Sequence, residues 1–400
     1  MKQIYLDHNA TTPVHPVVAA AIARCYEATL ANAASPHEAG RQARRVLEQA
    51  RGQIARLLGA NLVGSTADRL IFTSGATEAN NLAIFGLAGE QPGRVIISAI
   101  EHPSIVGPAE ELARRGWGLE RISVSRHGVV DVDHLRRLLN EQTRLVSVML
   151  GNNETGVLQP VCELAALCAA AKVPLHTDAV QVVGKLAVDF RRLGVAAMSA
   201  SGHKFHGPAG IGVLVLRRDV TPRPIVYGGT QQSGLRAGTE PVALAVGMQE
   251  ALLLWLREST ERTARMTSLR DRLEARLATG ESGVVVNGAG APRLPHTSNV
   301  SFTGVDRQAL LMALDLAGVA CSTGSACVSG SSERSPVLLA MGCPPDVVDA
   351  SVRLSLGAGT TAQEVDLAAR RILKVVSDLR DSKRAEKSAG TSRDRSPKSL

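Results

Sequence analysis

At 400 residues, 44% hydrophobic and 20% charged, the chain is long enough for more than one hydrophobic core and too apolar for an intrinsically disordered protein. The formal charge is +8, but residues 382–400 hold six Lys/Arg against two acidic residues, so half of the excess lies in the tail and the body is only mildly basic. Two Trp, three Tyr and five Phe do not supply the interleaved aromatics of a nucleic-acid surface, so no direct nucleic-acid partner is expected.

In chain order, residues 69–216 alternate short β-branched runs with amphipathic or Ala-rich stretches, the pattern of an α/β fold with a mostly parallel sheet. Strands are predicted at 69–73, 94–98, 119–124, 145–150, 173–177, 196–199 and 212–216, with a helix at 163–171 among the connections. Sheets of this kind bind ligands beyond the carboxyl ends of their strands. Five polar clusters follow those ends: SGATEANN, EHPS, GNNETG, DAVQ and SGHKFHGP. One shared site is therefore expected.

Residues 239–277 read as helical and lead away from the sheet. A smaller α+β unit follows, with strands at 284–286, 298–302 and 351–356 and helices at 307–317, 335–341 and 361–381. The expected organisation is a large domain over 13–258, a small domain from 1–12 and 259–381, and a disordered basic tail over 382–400. The apolar run 242–256 is broken by Gly247, Gln249 and Glu250, and the N-terminus has no basic-then-apolar leader. No membrane association and a cytoplasmic location are expected.

Six cysteines are spread over the chain without a C-x-x-C pair, which argues against a disulfide framework and a zinc site, and no metal is expected. Lys204, in SGHKFHGP, falls where a strand ends at the mouth of the sheet. Condensation of an amine with an aldehyde needs a partly shielded lysine with some neutral form available. Asp178, at another strand end, could hold a pyridine nitrogen protonated, and Gln181 three residues on can point the same way. Gly75, Ala76 and Thr77 offer backbone N–H groups and a hydroxyl at a helix start, a setting suited to phosphate or to simple capping. His102, ahead of Pro103, could lay its ring on a planar group. Cys327 lies in STGSACVSGSS, whose Gly/Ser density predicts a mobile loop suited to a reactive thiol, whereas Cys321 ends the apolar GVA run and reads as a buried bystander.

Taken together, YLDHNATTP, FTSGATEANN, EHPS, NNETG, HTDAVQ, SGHKFHGP, GLRAGTE and GSACVSG occur in an order that resembles the cysteine desulfurases of the NifS/IscS type, within the class V aminotransferase family of fold-type I pyridoxal-phosphate (PLP) enzymes. The resemblance spans about nine tenths of the chain. It implies a mostly parallel seven-stranded sheet with helices on both faces. By this resemblance Lys204 would carry PLP, Asp178 would face the ring nitrogen, Gln181 the ring hydroxyl oxygen, and His102 would stack on the ring. Ala76, Thr77, Ser201 and His203 would hold the phosphate together with Thr239 of a neighbouring subunit, which implies a homodimer. Asn153 and Arg353 would orient an L-cysteine substrate, the guanidinium fork being a natural carboxylate partner. Cys327 would take the sulfur as a persulfide and pass it to an acceptor protein, an iron–sulfur scaffold or a sulfur relay. Three places depart from the family pattern: Gln232-Ser233 replaces Glu-Arg, Arg334 replaces Pro, and Ala209 stands where Lys is frequent. Selenocysteine lyase, aminotransferase and hydrolytic PLP activities remain alternatives within the fold, as does a non-enzymatic scaffold that keeps it.

Overall fold

The computed structural model describes residues 3–28, 31–324 and 334–393, with side chains described as far as residue 385. The strands are β1 (Ile4–Tyr5), β2 (Arg69–Thr73), β3 (Arg94–Ser98), β4 (Gly118–Ile122), β5 (Thr143–Ser147), β6 (Leu175–Asp178), β7 (Ala197–Ser201), β8 (Gly212–Leu216), β9 (Val284–Asn287), β10 (Thr297–Phe302), β11 (Val319–Ala320) and β12 (Ser351–Ser355). The helices are α1 (Pro16–Ala28), α2 (Glu38–Leu57), α3 (Ala76–Ala88), α4 (Pro103–Arg114), α5 (Val132–Leu138), α6 (Val161–Ala170), α7 (Phe190–Leu193), α8 (Val242–Gly280), α9 (Arg307–Leu316), α10 (Pro336–Ala340), α11 (Pro345–Val348) and α12 (Ala362–Arg393).

Seven strands form the central sheet in the order β2-β8-β7-β6-β5-β3-β4, and β8 alone runs antiparallel to its neighbours. This is the expected mostly parallel α/β sheet. β2, β3 and β8 are largely apolar because both faces are covered, whereas the edge strand β4 carries Glu120 and the exposed Arg121, and the period of two divides each strand between the faces. In β8, Val213 and Val215 join Leu47 and Ile54 of α2 and Met248 and Leu252 of α8 in one core. Leu214 and Leu216 meet Leu82 and Ala83 of α3 on the other face.

A separate apolar cluster joins Ile4 and Leu6 to Val300, Phe302, Val352 and Leu354, with Leu310 of α9 and Ile372 and Val376 of α12. Its strands are the antiparallel set β12-β10-β9 and the parallel pair β1-β11. Helix α8 connects the two clusters: Met248 and Leu252 lie in the first, Leu269, Leu273 and Leu277 in the second.

Two expectations shift. The apolar runs outlast the ladders: β5 stops at Ser147, not residue 150, and β6 begins at Leu175 because Pro174 has no N–H to donate. The last helix continues to Arg393, so residues 382–393 are helical and not an irregular tail. Ala385, Glu386, Lys387 and Ala389 are good helix formers. Ser382 also donates to the Asp378 carbonyl at 3.0 Å, and Lys383 to the Gly304 carbonyl at 3.1 Å.

Candidate active site

The five polar clusters do converge. A cavity of about 490 Å³ is lined by Ala76, Thr77, His102, Asn153, Asp178, Gln181, Ser201, His203, Lys204 and Arg353, together with Asn9, Ala10, Ser104 and Gly324. Its size suits a cofactor with a small substrate. The residues arrive by short routes from strand ends: Lys204 closes the 3₁₀ turn Gly202–Lys204 directly after β7, and Asp178 is the last residue of β6. Gly212 of β8 lies so close to Gly75 that a Cβ there would sit 2.6 Å from the Gly75 carbonyl carbon, and only glycine lets the strand reach the start of α3.

Lys204 Nζ donates to the carbonyls of Asn9 at 2.6 Å and Ala10 at 2.8 Å. Asn9 is a hub. Its carbonyl also accepts from Gln181 Nε2 at 3.1 Å, its amide donates to the Asn153 carbonyl at 3.1 Å and Thr297 Oγ1 at 2.9 Å, and its Oδ1 lies 2.8 Å from His296 Nε2. Behind Gln181, buried Lys185 donates to Gln181 Oε1 at 3.5 Å, which leaves Nε2 as the amide's cavity-side donor. Burial, reinforced by the charge of Lys204, lowers the Lys185 pKa to about 7.

Asp178 accepts from Val180 N–H at 3.0 Å and from Asn80 Nδ2 at 2.7 Å. His102 is the N-cap of α4, its Nδ1 accepting from Ser104 N–H at 3.1 Å. Burial lowers its pKa; Asp178 opposes that, and Lys204 and Arg353 add to it, so the neutral ring is favoured. His203 falls to about 4 through burial and then the Lys204 charge.

Arg353, on β12, is buried and pairs with Asp7 Oδ1 at 2.6 Å, while Nη1 donates to the Asn153 carbonyl at 3.1 Å. Its Nε–H is buried without a hydrogen-bond partner among the described residues. Also in the cavity wall, α3 presents its N-terminus at Gly75 without a side-chain cap, a setting suited to an anion.

The residues therefore fit PLP: an amine, a carboxylate held through both oxygens, a neutral imidazole, and an uncapped helix start beside Ser201 and His203. When bound, PLP supplies an electron sink for bonds at an amino acid's α-carbon.

Thr239 is exposed and does not line the cavity of its own chain. Its loop is pinned at three points. Gln232 accepts from Phe72 N–H at 2.7 Å and donates to the Phe72 carbonyl at 2.9 Å, closing the edge of β2. Arg236 forks onto Glu78 at 2.7 and 3.1 Å, and Arg51 pairs with Glu240 at 2.7 Å. Burial resists ionisation of Glu78, but Arg236 and Ser74 outweigh it and hold the carboxyl below its ordinary range. Of the other departures, Ala209 lines the cavity and Arg334 forks onto Asp349 at 2.7 and 2.6 Å. Cys327 lies outside the described residues. Cys321 is half-buried, its thiol pushed up to about 12 by burial and then by Asp7. Sequence reasoning did not single out Asn9, Asn80, Ser104, Lys185 or Asp7; the available signal was only that each stands inside or beside a quoted motif.

Residues 4–367 match the aminotransferase class-V family, and the chain belongs to it. The chain is 38% identical over 382 residues to the protein named cysteine desulfurase IscS of Dictyoglomus turgidum, covering 95% of this chain and 96% of that one. It is also 38% identical over 387 residues to cysteine desulfurase NifS of Azotobacter vinelandii, covering 95% and 94%. Among solved structures, a NifS-like protein from Rickettsia africae superposes with a TM-score of 0.85 at 32% identity, over 93% of this chain and 99% of that one.

Proposed function

We infer that this chain is a PLP-dependent cysteine desulfurase, which converts L-cysteine to L-alanine and moves the sulfur to Cys327 and then to an acceptor protein. The observation that carries this reading is the meeting of Lys204, Asp178, His102 and Arg353 in one cavity of a class V chain. Arg353, aimed by Asp7 and the Asn153 carbonyl, receives the substrate α-carboxylate. Lys204 would hold the cofactor, and its amine stands where it can take the substrate α-proton. The substrate Cβ–S bond then breaks with its electron pair left on carbon, the sulfur joins the Cys327 thiolate, and protons complete the alanine methyl group. Cysteine plus enzyme thiol thus becomes alanine plus enzyme persulfide.

Gly324 lines the cavity, and Cys327 follows it three positions later in the sequence. Cys321, whose thiol stays protonated at neutral pH, is a poor nucleophile. The exposure of Thr239 on its pinned loop supports a homodimer in which it reaches the partner's phosphate site. An iron–sulfur scaffold or a sulfur relay is the proposed acceptor, and the cytoplasm the proposed location.

Incubation with L-cysteine should yield alanine, with a mass increase of one sulfur on the peptide that contains Cys327. Lys204→Ala should lose the visible absorbance of lysine-bound PLP. Cys327→Ala should keep that absorbance and form no persulfide; unchanged sulfide release by this variant would overturn the assignment.

A further inference from the structure

Asn80 is fully buried on α3 and uses both of its amide N–H donors across the cavity wall. One goes to Asp178 Oδ2 at 2.7 Å, the other to Ser104 Oγ at 2.8 Å. The amide orientation follows from chemistry, since a carboxylate only accepts and must face the NH₂ group. Its Oδ1 is then left buried without a hydrogen-bond partner among the described residues, which costs stability. A side chain kept only for packing would not need that cost; an apolar residue would fill the space.

Two arms leave this amide. Along the first, Asp178 Oδ2 is tied to Asn80 and Oδ1 to the Val180 N–H at 3.0 Å, which fixes the carboxylate plane. Along the second, Ser104 Oγ accepts from Asn80, so its own proton points to His102 Nδ1, 2.8 Å away. Ser104 N–H donates to the same Nδ1 at 3.1 Å. A ring nitrogen that accepts two donors carries no hydrogen, so the neutral imidazole holds its proton on Nε2.

We propose that Asn80 is a positioning residue that sets the Asp178 carboxylate and, through Ser104, the His102 tautomer as one unit, presenting both groups to the cofactor in register. The cofactor part rests on the PLP reading above; the tautomer part does not. Substituting Asn80 disturbs both arms, and substituting Ser104 disturbs only the histidine arm.

The test uses the full chain labelled with ¹⁵N-histidine, before and after addition of PLP. Two-bond ¹H–¹⁵N spectra should show His102 as a single Nε2–H tautomer in the unsubstituted protein, and nitrogen shifts moved part of the way toward averaged values in both Asn80→Ala and Ser104→Ala, where the residue-104 N–H still donates to Nδ1. The PLP dissociation constant should rise about tenfold in Asn80→Ala, from loss of one hydrogen bond to a charged group, and less than about twofold in Ser104→Ala. His102 nitrogen shifts in Ser104→Ala unchanged from those of the unsubstituted protein, or equal PLP affinities in the two variants, overturn the proposal. If Asn80→Ala does not fold, as judged by circular dichroism, Ser104→Ala alone decides the tautomer. If the unsubstituted chain shows the tautomer and binds no PLP, the cofactor reading fails while the tautomer lock stands.

Discussion

The Asp7–Arg353 pair gives a quantitative handle on substrate binding. Asp7→Ala leaves the Arg353 guanidinium, 4% exposed, facing a vacancy where a carboxylate stood at 2.6 Å. Removing one partner of a buried ion pair costs about 3–5 kcal/mol. The Asp7 side chain is 19% exposed, so water screens part of the loss and about 3 kcal/mol is expected. Asp7→Asn keeps an oxygen acceptor for Nη2 but not the charge, and about 1–2 kcal/mol is expected. Urea unfolding of both variants, of Arg353→Met and of the double variants measures the coupling, which should reach about 2 kcal/mol because the two side chains share one contact. Kinetics provide the second readout: the KM for L-cysteine should rise several-fold with little change in kcat, as expected when a carboxylate-binding group loses its orientation. The reasoning is refuted if Asp7→Ala changes neither stability, within about 0.5 kcal/mol, nor KM.

Three further outcomes are expected. Glu101 is held as a neutral acid with a pKa of about 8 against an ordinary 4.5, first by burial, while Ser98 and Met149 N–H oppose the shift and Asp178 adds to it. The folded state therefore binds this proton more tightly; the stabilisation is full below pH 4.5 and lost as pH rises to about 8, up to roughly 5 kcal/mol. Glu101→Gln should flatten the stability–pH slope in that window, and parallel slopes in urea titrations would count against it. Gln232→Ala removes both bonds to the Phe72 backbone and should cost about 1–2 kcal/mol, with faster hydrogen exchange at the Phe72 amide; unchanged exchange would show that water replaces the side chain. Gly184→Ala combines a φ of +75° with a collision against the Phe205 side chain next to Lys204, and should cost about 3 kcal/mol or more and weaken the visible absorbance of the PLP-loaded protein. A normal melting temperature and spectrum would exclude that strain.

Much of the fold was legible because its signals are local. RLIFT, RVIIS and GVLVL each hold a run of at least three apolar residues, and these alternate between two helical layers as the pleat requires. The end of α12 was misjudged because the charge of the tail suggested solvation, whereas Ala, Glu and Lys also favour helix. The departure at Gln232 could be seen in the sequence but not explained there: its amide closes the edge of β2, 160 residues away in sequence.

By itself, the sequence determined the α/β class, the order of the strands along the chain, and the lysine, carboxylate, imidazole and guanidinium that meet in the cavity, because strand periodicity and the residues at strand ends are written within a few positions of one another. Only the tertiary structure decided how those groups are aimed. Asn80 reaches Asp178 across 98 residues and Asp7 reaches Arg353 across 346, and hydrogen bonds between such distant positions leave no period or spacing for a sequence to display.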